Sequence, residues 1–207
     1  MPSDKPKVVI FDVGKVLFDW EPRYLYERLI GDDRALEAFL ATVVTREWHF
    51  QHDAGRLFAE TSAELIAEYP QHADLIRAWG PRFNETIGDS IPGMAEIVAE
   101  LDAAGVPLFA ITNFSGEFWK PFVAQHRDLF DRFRDIVVSG DEKLVKPDPA
   151  IYRLALARFG LEPGDAVFID DNEANIESAN ALGIRGILFT HAEALRERLV
   201  MFGLLPS

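Results

Sequence analysis

Residues 7–20 read KVVIFDVGKVLFDW. An apolar run ends abruptly on an acid, Asp12, and Gly14 follows two positions later. A short, continuous apolar run closed by polar residues is the pattern of a strand buried on both faces. The same plan returns at 106–113 (VPLFAITN), 136–139 (IVVS), 166–170 (AVFID) and 186–190 (GILFT). Between these runs lie amphipathic stretches at 94–104, 150–159 and 174–182. Apolar strands alternating with helices predict an α/β chain with a parallel sheet covered on both sides.

The alternation breaks between residues 19 and 91. That region carries several helical patterns in succession, at 23–30, 34–44, 55–69 and 73–87, and is rich in large apolar side chains such as Trp48, Phe58, Trp79 and Phe83. The expectation is a two-part molecule: a core made of 1–18 and 92–207, with an inserted helical unit at 19–91. The chain of 207 residues is 48% hydrophobic, enough for one sizeable core carrying such an insertion.

Composition removes several function classes. There is no cysteine, so disulfides, thiolate catalysis and thiolate metal sites are excluded. No stretch of eighteen residues is free of charge, and MPSDKPKVVIFD is too polar for a secretory leader, so a cytoplasmic protein without a membrane span is expected. The 34 Asp and Glu against 21 Lys and Arg give a net charge of −13. That surface repels nucleic-acid phosphates, and any anion site needs locally concentrated positive charge.

In an open parallel sheet, ligands bind beyond the carboxyl ends of the strands. The polar residues there are Asp12, Thr112 with Asn113, and Asp170 with Asp171, while Lys146 stands in the loop before the helix opened by PDPAIY. Each has an ordinary structural explanation. Asp148 followed by Pro149 is a helix start, Thr112, Asn113 or Ser115 could cap the next helix, and so could Asp171 or Asn172. Together they are harder to explain so plainly, because three acids at neighbouring strand ends repel one another unless a cation sits among them. Carboxylates without histidine or cysteine favour magnesium over zinc. A carboxylate, a divalent cation, a lysine and a hydroxyl are the parts of phosphoryl transfer through an aspartyl intermediate.

On these residues the chain resembles the haloacid dehalogenase superfamily of hydrolases over nearly its whole length. Asp12 in VVIFDVGKVLFD, Thr112 in FAITN, Lys146 in LVKPDPAIY and Asp170–Asp171 in VFIDDNEANIESA follow the order of the family's four motifs. The resemblance implies a Rossmann-like core with a helical cap. It implies that Asp12 attacks phosphorus, and that Lys146 and the Thr112 hydroxyl, with the Asn113 N–H, hold the phosphoryl oxygens. Mg2+ would be bound by Asp12, Asp170 and the Gly14 carbonyl, with Asp171 in support. The substrate implied is a small phosphorylated metabolite.

Two departures matter. Family phosphatases usually carry an acid where Gly14 stands, which protonates the leaving group, and a glycine where Lys15 stands. His49 and His52 are the candidates by chemistry for the absent proton donor, a contribution worth about 10²–10⁴-fold. The dehalogenase branch also lacks the second acid, but it has a Tyr-Gly-Thr pattern after the nucleophile and no paired acids in the fourth motif. FDVGKV is instead similar to the FD-x-G-N-V subgroup that includes bacterial α-glucose-1-phosphate phosphatases. A magnesium-dependent phosphatase, of a sugar phosphate by that likeness, is therefore expected ahead of a 2-haloacid dehalogenase or a non-catalytic phosphometabolite-binding protein. Substrate choice is expected from the 45–55 neighbourhood with Trp20 and Trp119.

Overall fold

The structure is a computed structural model that describes residues 5–206; the ends of the expected core, at residues 1 and 207, lie outside the described residues. Strand β1 (Val8–Phe11) is wholly buried and gives way at Asp12 to a short turn and then to β2 (Phe18–Trp20). Five helices follow: α1 (Arg23–Tyr26), α2 (Asp33–Thr42), α3 (Arg46–Asp53), α4 (Phe58–Glu68) and α5 (Ala73–Ala78). The chain returns through β3 (Ile87–Ser90). Thereafter come α6 (Met94–Ala103), β4 (Leu108–Thr112), α7 (Gly116–Gln125), α8 (Arg127–Phe130) and β5 (Asp135–Val138). The remainder is α9 (Ser139–Glu142), α10 (Pro149–Phe159), β6 (Ala166–Asp170), α11 (Glu173–Ala181), β7 (Arg185–Leu188) and α12 (Ala192–Met201).

The main sheet has the order β5-β4-β1-β6-β7, and every pairing in it is parallel. This is the Rossmann-like α/β arrangement. Successive side chains of β1 leave on opposite faces, as a strand requires. Val9 and Phe11 join a core with Leu101, Leu195 and Leu199 from α6 and α12, while Val8 and Ile10 join a second core with Ile151, Tyr152 and Ile176 from α10 and α11. With two apolar faces to satisfy, the strands carry no polar alternation, which is why they read as continuous apolar runs. Among the described residues no helix is long and apolar enough to cross a membrane.

The chain order reverses beside β1, with β4 and β5 built to one side and β6 and β7 to the other. The carboxyl ends of β1, β4 and β6 therefore open onto a common crevice. Local signals position its rim. Asp148 accepts from the Ala150 N–H and Pro149 supplies the first position of α10, while Asn172, not Asp171, caps α11 by accepting from the Ala174 N–H.

Two features of the 19–91 region differ from expectation. The helical pattern expected from 55 to 69 is α4 alone, while α3 over 46–53 is not among the expected helices; Gly55, at a left-handed φ of 89°, lies in the turn between the two. The region also begins and ends in strands: β2 and β3 pair antiparallel, Phe18 with Ser90 and Trp20 with Ile87. Residues 87–90 alone are too short and too polar (IGDS) to announce a strand, and only the approach of β2 gives their backbone groups partners. The helices then pack around Trp79, which is fully buried against Tyr26, Trp48 and His49.

Contact between the helical segment and the sheet is close. Phe83 stacks on Phe118 of α7 at 4.5 Å, and the Ser139 hydroxyl donates to the Asp53 carbonyl at 2.6 Å. Gly140 lies against backbone: a Cβ there would meet the Gly116 nitrogen at 2.5 Å and the Phe114 oxygen at 2.8 Å. Gly140→Ala is expected to cost about 1–3 kcal/mol through this overpacking. Urea denaturation measures the loss, and an unchanged midpoint would refute the close-approach argument.

Candidate active site

Asp12 follows β1, Thr112 closes β4 and Asp170 closes β6, so three chain segments far apart in sequence bring polar groups to one crevice. Lys146 joins them from the loop before α10. Lys146 is 2% exposed, and its ammonium lies 2.8 Å from Asp12 Oδ1 and 2.7 Å from Asp170 Oδ2. Burial works against that charge, but the two carboxylates more than offset it and hold the Lys146 pKa above its ordinary value.

The supporting shell fixes these groups. The Asn113 side chain grips the Lys146 backbone from both sides, accepting from its N–H at 2.8 Å and donating to its carbonyl at 3.0 Å. Asp170 is held by the Asn172 N–H at 2.8 Å and by Asn175 Nδ2 at 2.9 and 3.0 Å. Asp12 Oδ1 also accepts from the Val13 N–H at 2.7 Å. Thr112 is buried, yet its hydroxyl oxygen has no hydrogen-bond partner. An unpaired buried hydroxyl costs free energy, so this one stands out among the groups at the strand ends.

Asp12, Asp170 and Asp171 each offer a carboxylate oxygen, all within 4.8 Å of one another. One lysine cannot neutralise three such groups. Burial first, and then the charge of Asp170, push Asp12 up to about 7 despite Lys146. Asp171, at the exposed rim, is likewise raised by partial loss of water and by Asp170. A compact, all-oxygen, over-acidic cluster suits a hard divalent cation, and the residues present fit Mg2+.

The turn after Asp12 carries a second signal. Lys15 adopts a left-handed φ of 59°, a conformation that costs a non-glycine residue roughly 1–2 kcal/mol, and its ammonium is tied to Asp19 and Glu21. This is why glycine is common at that position in the motif it resembles.

Next to the cluster lies a cavity of about 220 Å³ lined by Val13, Gly14 and Asn113 on the sheet side. Trp20 is among its walls, whereas Trp119, paired with it in the sequence reading, packs against Phe114 and Phe130 and lines nothing there. The histidines expected as proton donors are not suited to it. Burial holds His52 down to about 4 and His49 down to about 3, so both are neutral near pH 7, and His52 is bonded to the Thr61 hydroxyl at 2.6 Å. The group that sequence reasoning missed is Asp53, one turn beyond His49, which lines the cavity and is 5% exposed. Asn175 was missed as well.

Two outcomes follow from these charges. Lys146→Met leaves two buried carboxylates unpaired and is expected to cost about 3–5 kcal/mol in chelator, part of it recovered by magnesium; denaturation with and without the metal reads this. For His49 and His52 the folded pKa lies below the unfolded value of 6.5, so the unfolded chain takes up protons first as pH falls. Their contribution is intact above about pH 6.5 and drains away toward pH 4. A thermal-stability profile should show this decline, and it should be shallower in His52→Gln.

Comparison with known proteins agrees with this construction. Residues 6–183 match the haloacid dehalogenase-like hydrolases. The acyl-CoA dehydrogenase family member 10 of Mus musculus is 28% identical over 218 residues, covering 95% of this chain, though the chain spans only 19% of that protein's length. The sesquiterpene phosphatase astK of Aspergillus oryzae is 27% identical over 194 residues, covering 91% of this chain and 92% of its own. A HAD family enzyme of Bacteroides thetaiotaomicron shares the fold with a TM-score of 0.71 at 21% identity, over 94% of this chain and 98% of that one. Its wild-type complex with magnesium and inorganic phosphate superposes with a TM-score of 0.66 at 20% identity, over 90% and 95%. With a family match spanning most of its length, this chain, whose motif residues gather at the carboxyl ends of the three inner strands, belongs to the haloacid dehalogenase-like hydrolases.

Proposed function

We propose that the protein is a magnesium-dependent phosphatase of a small phosphorylated metabolite, acting in the cytoplasm through an aspartyl-phosphate on Asp12. The observation that carries this reading is the Lys146 ammonium set between Asp12 and Asp170, with the unpartnered hydroxyl of Thr112 at the end of the neighbouring strand β4. Phosphatases among the relatives matched over most of their length support it.

In this mechanism a carboxylate oxygen of Asp12 forms a bond to phosphorus while the ester P–O bond breaks. Lys146 and Thr112, with the Asn113 N–H, hold the phosphoryl oxygens in line, a positioning contribution that is a large part of phosphoryl-transfer catalysis. The Asn113 side chain keeps Lys146 in register. Magnesium, held by Asp12, Asp170 and the Gly14 carbonyl with Asp171 in support, would neutralise charge on the transferring group. Water then attacks phosphorus, the bond to Asp12 breaks, and inorganic phosphate is released.

The helical segment 19–91 acts in this scheme as a cap over the core formed by 1–18 and 92–207, excluding water and contacting the alcohol. Much of the cavity wall is aromatic or aliphatic, including Phe18, Trp20, Phe50, Phe83 and Phe122. Such walls favour an alcohol with an apolar face over a fully hydroxylated sugar. A 2-haloacid dehalogenase does not need a second and third carboxylate beside Asp12, and their repulsion would oppose its ionisation.

The test is a panel of phosphomonoesters with magnesium, run beside 2-haloacids in chelator. Phosphate release that requires magnesium and vanishes in a folded Asp12→Asn variant is the expected result. Halide release that persists in chelator, with no phosphate from any ester, would replace this reading by the dehalogenase one.

A further inference from the structure

Gly14 leaves the site without a side chain where a proton donor would stand, and the space is open: a Cβ built there has nothing within 4 Å. Gly14 and Asp53 line the same cavity, Gly14 from the turn after β1 and Asp53 from the end of α3. Asp53 Oδ2 lies 3.4 Å from His49 Nε2, and Asp53 Oδ1 is buried without any partner. His49 is itself fixed between rings, stacked on Trp20 at 4.9 Å and on Phe83 at 5.7 Å. The Asp53 backbone is anchored through its carbonyl to the Ser139 hydroxyl, which also accepts from the Phe114 N–H at 2.9 Å.

Folding gains little from an acid here. Asp53 is the last residue of α3, where the helix dipole disfavours negative charge, and burial disfavours it again. We propose, building on the phosphatase reading, that Asp53 supplies the proton transfer that Gly14 cannot, so that the acid comes from the helical segment instead of from the turn after the nucleophile.

The chemistry balances in two steps. As Asp12 Oδ bonds to phosphorus, the P–O ester bond breaks, and its electron pair on the leaving oxygen takes the proton of the Asp53 carboxyl, releasing the alcohol. The resulting Asp53 carboxylate then removes a proton from water as that water's oxygen attacks phosphorus. The Asp12–phosphorus bond breaks, phosphate leaves, and both acids return to their starting states. Asp53 enters this cycle in the required form: burial, and then the charge of Asp12, raise it to about 8 against the pull of Lys146 and of the Ser115 N–H. The other titratable or charged groups on the cavity wall are His49, which is neutral, and Arg46.

The test separates an acid from a packing residue by its dependence on the leaving group. The full-length protein with magnesium is mixed rapidly with p-nitrophenyl phosphate, whose phenolate leaves unaided, or with a simple alkyl phosphate, whose alkoxide does not. In Asp53→Asn the aryl burst should persist near the wild-type rate, while alcohol release from the alkyl ester falls by roughly 10²–10⁴-fold. Placing Gly14→Asp in the Asp53→Asn background should restore part of the alkyl rate, since the space for that side chain exists. The wild type provides a check free of any folding defect: its alkyl burst should fall as pH rises through the Asp53 pKa, which burial holds above the ordinary carboxylate range, and its aryl burst should not.

Equal loss of both bursts, or loss of neither, overturns the role of Asp53 while leaving the phosphatase reading intact. A wild type that releases phosphate neither from these two esters nor from any of the phosphomonoester panel overturns the phosphatase reading, and the role of Asp53 with it.

Discussion

A single buried ammonium organises the catalytic end of this molecule. Lys146 Nζ stands 2.8 Å from Asp12 and 2.7 Å from Asp170, and none of the three is exposed enough for water to take over the role of its partner. Charges removed from water stay charged only where geometry compensates them. Here the compensation demands that β1, β6 and the loop before α10 keep fixed relative positions. The parallel ladders from β1 to β4 and β6 meet that demand, as do the Asn113 clamp on the Lys146 backbone and the Asn175 clamp on Asp170. Rigidity at this edge is a consequence of electrostatics as much as of packing.

The same constraint explains why the site remains poised toward an anion and a cation together. Lys146 cannot neutralise Asp12, Asp170 and Asp171 at once, so the cluster retains affinity for a hard divalent ion. The buried Thr112 hydroxyl meanwhile has no hydrogen-bond partner within the protein. Opposite this polar floor the walls are aromatic, many of them contributed by the helical segment that leaves through β2 and returns through β3. To these aromatic walls the segment adds three polar side chains, Arg46, His49 and Asp53.

Much of the core was legible along the chain. Five apolar runs corresponded to the five strands of the main sheet, because a strand covered on both faces has no solvent side to interrupt its apolar pattern. Asp12, Thr112 and Asp170 were legible as candidate site residues for a related reason: strand ends in a parallel sheet face a common crevice, so position along the strand implies position in space. The helical segment was read less well. Its helices have local signals, but the break between α3 and α4 around Gly55 and the β2–β3 pair depend on contacts that periodicity does not encode. Asp53 was overlooked because REWHFQHD is a mixed polar and aromatic helix, in which one acid is indistinguishable from a solvated one.

What the sequence determined by itself was the alternation of strands and helices, and with it the sheet edge at which Asp12, Thr112 and Asp170 meet. These follow from periodicity and from residue type at defined places, which are local properties of the chain. What only the tertiary structure decided was the electrostatic environment of those residues. That Lys146 bridges two acids, that Thr112 is left without a partner, that His49 and His52 are neutral, and that Asp53 rather than a histidine shares the cavity with Gly14 all depend on burial. Burial is set by segments tens of residues away folding over the same space. The acid missing at Gly14 can be read in one dimension, but the acid opposite it exists only in three.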